Sequence, residues 1–261
     1  MTSVLYETID RIGVITLNRP EARNAVDREL ALALEAAVDR LEDDPDLRVG
    51  VLAANVDGQA RPVFCAGADL KVIRETGTAA TLDTDRGGFG GFVYRQREKP
   101  VVVAVDGLAT AGGMEIVLAA DVVVATTRSA FGLAEVRHNL IAAAGGLFRL
   151  PRAIGRAPAM DAILTGDPID ATRAYQLGLV SRLVESGDVR DTAMDVAQAI
   201  AAAAPLAVRA SRAVVRAAAF TDDAELRERS RALLDELLQS EDAAEGLQAF
   251  AEKRPPEWRG R

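Results

Sequence analysis

Apolar and polar positions alternate over residues 3 to 18, where Val, Ile, Thr and Tyr dominate and "DRIG" interrupts the run. Period-two alternation broken by a polar tetrad predicts a β-hairpin. "NRPEARNA" then reads as a turn, and "AVDRELALALEAAVDRLEDDP" carries apolar residues at helical spacing up to Pro45. "LRVGVLAAN", "KPVVVAVDG" and "VVVAT" are unbroken apolar runs of strand length, as expected of buried strands. "SAFGLAE" predicts a short strand and turn; "AAGGLFRLPRAIG", "PAMDAILTG" and "DATRAYQLGLVSRLV" predict helical pieces, the last running into a strand. Residues 74 to 98 are polar, with Gly87, Gly88, Gly90 and Gly91 clustered, and read as a mobile flap outside the core.

Beyond residue 188 the pattern is helical with no strand between. Strands alternating with helices, then helices alone, predict an α/β protein: a β/α core over residues 1–188 and a helical appendage over 189–261. No fixed period marks a repeat array.

Composition narrows the function. The chain has 261 residues, 49% of them hydrophobic, so a large core is readily buried. A formal charge of −8 supplies no general positive field, which argues against a nucleic-acid partner and requires local basic residues for any anionic ligand. Cys65 is the single cysteine; it excludes an internal disulfide and fits a reducing compartment. "MTSVLYETIDRIGVITLNRP" lacks the basic and apolar regions of a secretory signal, and no apolar run is long enough to span a bilayer. The expectation is a soluble, cytoplasmic protein with no membrane partner.

Several chemistries are poorly served. His138 is the lone histidine, so no metal site is expected, and "GGFGGF" lacks dinucleotide-binding spacing. No nucleophile elbow or phosphate-binding P-loop occurs. Cys65, between Phe64 and Ala66, reads as packing.

What remains is "LATAGGMEIVLAADVVVA", residues 108–125, an apolar stretch holding Glu115 and Asp121. A buried carboxylate is costly, so Glu115 is satisfied by a partner, exposed, or placed to handle protons. "CAGAD" (65–69) and "AGGME" (111–115) both put small residues at a turn into a helix, where backbone N–H groups lack partners. Taken alone, each also reads as an ordinary tight connection. Aimed at one point, the two would make an oxyanion hole.

"FCAGADLK", "KPVVVAVDGLATAGGMEIVLAADVVVA", "FGLAEVRHNLIAAAGGLFRLPRAIG" and "FAEKRPPEWRGR" together resemble the crotonase superfamily, in particular enoyl-CoA hydratases and the branch holding carnitinyl-CoA dehydratases. The resemblance runs from "VITLNRPEARNA" to the C-terminus. It implies a spiral core of repeated ββα units with a C-terminal helical trimerisation region, assembled as a homotrimer or a dimer of trimers. It also implies an acyl-CoA thioester substrate, with coenzyme A as part of the substrate and no separate cofactor. On this sequence the family's oxyanion donors fall on the N–H groups of Ala68 and Gly112, and its catalytic acids on Glu115 and Glu135. Coenzyme A contacts fall on Arg23, Ala25, Ala66, Asp69 and Leu70, and, reaching a neighbouring subunit, on Phe250 and Lys253.

Retention of both acids favours hydration of a 2-enoyl thioester. A carnitinyl-CoA-like dehydratase, an isomerase or a silent acyl-CoA-binding subunit stand as alternatives. The chain departs from the family pattern at Ala111, where a third glycine is common, at His138-Asn139 in place of Leu-Gly, and in "IAAAGG", which lacks the usual proline.

Overall fold

Residues 2–261 are described by the computed structural model, and most of their strands fall into two sheets. The hairpin of β1 (Val4–Ile9) and β2 (Ile12–Leu17) turns through Asp10, whose φ of 51° lies in the left-handed region. The helix α1 (Arg28–Asp43) follows. Asp27 caps it by accepting the Leu30 N–H at 2.8 Å, and Leu30, Leu34, Val38 and Leu41 form its buried stripe.

A spiral then repeats one plan. Its first turn is β3 (Val49–Ala54), β4 (Val63–Cys65) and α2 (Leu70–Thr76). A small hairpin, β5 (Asp83–Thr84) with β6 (Gly88–Phe89), leads to the second turn: β7 (Val101–Val105), β8 (Leu108–Thr110) and α3 (Gly112–Ala119). The third is β9 (Val122–Thr126), β10 (Ala130–Gly132), a 3-10 turn over Glu135–His138, and the helices α4 (Gly146–Ile154) and α5 (Arg156–Thr165). The short β11 (Ile169–Asp170), α6 (Ala171–Gln176) and β12 (Arg182–Val184) complete both sheets. Each turn lays its first strand into the larger sheet, ordered β1-β2-β3-β7-β9-β12, and its second into the smaller one, ordered β11-β10-β8-β4. This is the spiral of ββα units that the family resemblance implies.

Both faces of the larger sheet are covered, which explains its unbroken apolar strands. Val101, Val103 and Val105 point into the main core with α1, whereas Val102 and Ala104 meet Val189, Ala193 and Ala197 on the other face. Those residues belong to α7 (Val189–Ala202), so the first helix beyond residue 188 packs on the sheet. Pro205 then breaks the helical run, and α8 (Pro205–Ala217) leaves at 111° to α7. The helices α9 (Asp223–Leu237) and α10 (Glu241–Glu252) follow. Among the described residues no single helix is long and apolar enough to cross a membrane.

One expectation fails. Within residues 74–98, read as a mobile flap, Leu82, Phe89, Phe92 and Val93 lie in the main core. The glycines serve close packing: a Cβ on Gly91 would stand 2.3 Å from the Ala31 carbonyl oxygen of α1. Two polar residues of the segment, Arg97 and Lys99, turn inward as well. Lys99 is buried and its ammonium donates to the carbonyls of Leu41, Glu42 and Asp44, capping the end of α1. Glycine and charge counts read as mobility in the sequence because neither reveals a tertiary partner.

Candidate active site

Three neighbouring parallel strands of the smaller sheet, β4, β8 and β10, end at the same edge. The chain leaving β4 carries Cys65 to Ala68, the chain leaving β8 carries Ala111 to Glu115, and the chain leaving β10 carries Glu135. Parallel pairing therefore gathers segments far apart in sequence at the carboxyl ends of the strands, where an α/β sheet places its ligands.

The two glycine-containing turns meet. A Cβ on Gly67 would lie 2.8 Å from the Gly112 nitrogen and 2.9 Å from the Ala111 Cβ. Gly67 has φ of +84°, so it supplies both the backbone shape and the close approach. No protein acceptor takes the N–H of Ala68 or of Gly112 among the described residues. Gly112 opens α3, and its dipole adds positive potential there. Ala111 sits at φ 51° and ψ −128°, a region that suits glycine. It is held by its N–H donating to Gly132 at 2.9 Å and by its carbonyl accepting from Glu115 at 3.1 Å.

Glu115, on the first turn of α3, is 3% exposed. Its Oε1 accepts the Gly146 N–H, at the start of α4, at 2.9 Å. Burial is the main force on its acidity and, with the negative charge of Glu135, pushes its pKa up to about 7; the N–H groups of Gly146 and Ala144 and the charge of Arg149 oppose the rise. Glu135 stands on the 3-10 turn, and its Oε2 is buried without a hydrogen-bond partner. Burial raises its pKa too, against the charge of His138, which itself is exposed.

Asp121, the other acid of the apolar stretch, has a structural place. It accepts the Val101 N–H at 2.9 Å and pairs with Arg212 of α8 at 2.9 Å. Cys65 is packed: its thiol donates to the Asn24 carbonyl at 3.1 Å, and burial pushes its pKa up to about 12. Such a thiol is no nucleophile.

Most of the residues expected around coenzyme A lie side by side. Ala66 N–H donates to the Arg23 carbonyl at 3.1 Å, Val26 N–H to Gly67 at 2.7 Å, and Asp69 N–H to Val26 at 2.9 Å. These bonds lay Arg23 and Ala25 along Ala66, Ala68, Asp69 and Leu70. The Asp69 carboxylate is engaged, capping α2 at Lys71 and lying 3.6 Å from Arg19, whereas Leu70 and Arg23 are exposed. Phe250 and Lys253 are not brought to this patch. They lie at the end of α10, Phe250 86% exposed, and the adjacent Arg254 is held by Glu245 and Glu252.

Three groups at the site escape the sequence reading. The ring of Phe89 fills the place a Gly112 Cβ would take, within 2.3 Å of it. Gly146 supplies the hydrogen bond to Glu115. Arg149 donates to the Ala144 and Val93 carbonyls at 3.2 and 2.6 Å. "GG" at 145–146, another glycine pair opening a helix, is the one signal that could have found the second of these.

A ββα spiral whose parallel strands gather two open backbone donors, one buried acid and one half-buried acid is a crotonase-type α/β fold. The chain belongs to the enoyl-CoA hydratase/isomerase family, whose model matches residues 7–261. It is 38% identical over 255 residues to a carnitinyl-CoA dehydratase of Salmonella paratyphi A, covering 95% of this chain and 94% of the relative. An enoyl-CoA hydratase of Mycobacterium tuberculosis H37Rv superposes with a TM-score of 0.92 at 41% identity, and all of both chains is covered. A carnitinyl-CoA hydratase of Mycobacterium avium, also covered throughout, superposes with a TM-score of 0.76 at 37% identity.

Proposed function

We propose that this protein is a hydro-lyase that adds water reversibly across the 2,3 double bond of a 2-enoyl-CoA thioester. The observation that carries the reading is the pairing of two pKa-raised glutamates, Glu115 buried and Glu135 half-buried, with two unpartnered N–H groups at one strand edge. The thioester oxygen accepts from Ala68 and Gly112, which stabilises the enolate that forms as water attacks. Glu115 is the base. The Gly146 N–H favours its carboxylate form, and it takes a proton from water as the oxygen bonds to C3. Because the two carboxylates repel, the pair holds a single proton; Glu135, whose Oε2 no protein group engages, carries it in the reactive form and delivers it to C2. The pair starts and ends with one proton, so the sum is addition of one water.

The coenzyme A arm lies along Arg23, Ala25, Ala66, Asp69 and Leu70, where Arg23 provides a local positive charge for its phosphates. Phe250 and Lys253 reach the coenzyme A of a neighbouring copy in a homotrimer or a dimer of trimers. Support comes from the apolar groove of about 300 Å³ among Leu206, Leu234, Leu238, Leu247 and Trp258, open in the single chain. Light scattering that finds only monomers would remove that assembly.

The likeness to carnitinyl-CoA dehydratase favours one second reading, the same chemistry run as dehydration of carnitinyl-CoA. Ultraviolet absorbance of the conjugated enoyl thioester tests both. Its loss on adding protein to short, medium or long 2-enoyl-CoAs supports hydration; its appearance from carnitinyl-CoA alone supports the dehydratase. No change with any of them, despite binding, leaves an isomerase or a silent binder.

A further inference from the structure

Arg149 lies on α4, one helical turn past the glycine pair, and no part of the mechanism above uses it. Its guanidinium joins two segments. It donates 2.6 Å to Val93, in the segment that carries Phe89 over Gly112, and 3.2 Å to Ala144, beside the N–H that meets Glu115. The ring of Tyr94 lies 5.2 Å from the guanidinium carbon and that of Phe148 lies 5.5 Å from it, while the Tyr94 hydroxyl donates to Ala143 at 3.1 Å. Gly145 has φ of +110°, and a Cβ there would be 2.5 Å from an Arg149 nitrogen. The turn at 143–146 is thus shaped around this one side chain.

We propose that Arg149 is a positioning residue: it braces the 143–146 turn against the Glu115 carboxylate and sets a half-buried positive charge beside that acid. The proposal rests on Glu115 acting in the reaction. The charged and titratable groups in reach are few. Glu135 and Arg149 act on Glu115, and Tyr94, Arg152, Arg216 and Glu115 act on Arg149. The positive charge of Arg149 opposes Glu115's rise in pKa, and a guanidinium stays charged when half-buried. Its planar fork reaches two carbonyls in different segments, which an ammonium cannot do with the same geometry.

The test titrates Glu115 directly by carboxyl carbon NMR, assigned with Glu115→Gln, in the wild type, Arg149→Gln and Arg149→Lys. The titration does not depend on turnover, so failure of the hydratase reading is seen separately, as inactivity of the wild type. Arg149→Gln should raise the Glu115 midpoint by half a pH unit or more. It should also lower kcat at least tenfold with a smaller change in KM. Arg149→Lys keeps the charge and loses the fork, so its midpoint should stay near the wild type while kcat falls severalfold. A Glu115 midpoint unmoved in Arg149→Gln would overturn the charge role, and full kcat in Arg149→Lys would overturn the brace. Should the glutamine variant fail to fold, the lysine variant alone decides: an unmoved midpoint with lowered kcat supports the brace, and wild-type kcat rejects it.

Discussion

Gly67 faces the Gly112 nitrogen so closely that one added methyl group would stand 2.8 Å from it. The two turns are set by contact with each other, across a gap of 45 residues in sequence. Gly67→Ala must part them, and its φ of +84° adds backbone strain. The expected result is a loss in kcat of about 10²-fold or more, as for removal of one oxyanion donor, with destabilisation of about 1–3 kcal/mol. Steady-state rates beside a melting curve check it; wild-type kcat in a folded variant would mean the turns need not meet.

Glu115→Gln and Glu135→Gln each remove a carboxyl group, the proposed proton carrier, while keeping shape. Turnover should fall about 10²–10⁴-fold in each, with circular dichroism unchanged. With a pKa of about 7, Glu115 is protonated below that pH and ionised above it, so if it is the proposed base kcat/KM climbs through neutrality. The residual activity of Glu135→Gln should keep this limb, moved to lower pH because the charge of Glu135 is gone, and that of Glu115→Gln should lose it.

The same acid links stability to pH. Its folded pKa, about 7, lies above its ordinary value of 4.5, so between these values the folded state holds more protons than the unfolded state. Stability should fall as pH rises from 4.5 to 7, by at most about 3 kcal/mol from this group. Glu115→Gln should flatten that slope and melt above the wild type at pH 7. Parallel stability curves for the two proteins would contradict it.

Ala111 holds a conformation that favours glycine. Ala111→Gly should raise stability by about 1 kcal/mol, strain relief of about 1–3 kcal/mol exceeding the entropy cost of glycine. Urea unfolding measures it, and a less stable variant would show that the methyl group's packing outweighs the strain.

Gly91 tests whether residues 82–93 are core. Gly91→Ala, with its methyl 2.3 Å from a carbonyl of α1 and φ at +68°, should cost about 2 kcal/mol or more. A mobile flap would accept the change without loss, which a thermal melt would reveal.

Much of the fold is legible in local pattern. The hairpin at 4–17, the stripe of α1 and the two-face burial of β7 follow from periods of two and 3.6 and from unbroken apolar runs. The two turns and Glu115 also stand out, because a carboxylate behind a glycine pair conflicts with its apolar setting. Glu135 and Ala68 became site residues only through family resemblance, since neither is locally unusual. Arg149, Gly146 and Phe89 were illegible for another reason: each acts across a tertiary gap, and an arginine on a helix or a phenylalanine among glycines looks the same whatever it touches. The glycines at 87–91 mislead for that reason too.

Phe89 leaning on Gly112 gives one backbone position two employers. A side chain at residue 112 would dislodge the ring, and a smaller residue at 89 would free the turn that presents the N–H, so the reaction centre and the wall above it cannot be altered independently. By contrast Val136, Leu140 and Ile141, exposed on the segment after Glu135, have no such obligations. Substitutions on the exposed segment at 136–141 can therefore be made singly, whereas any change at residue 89 or 112 is felt at both.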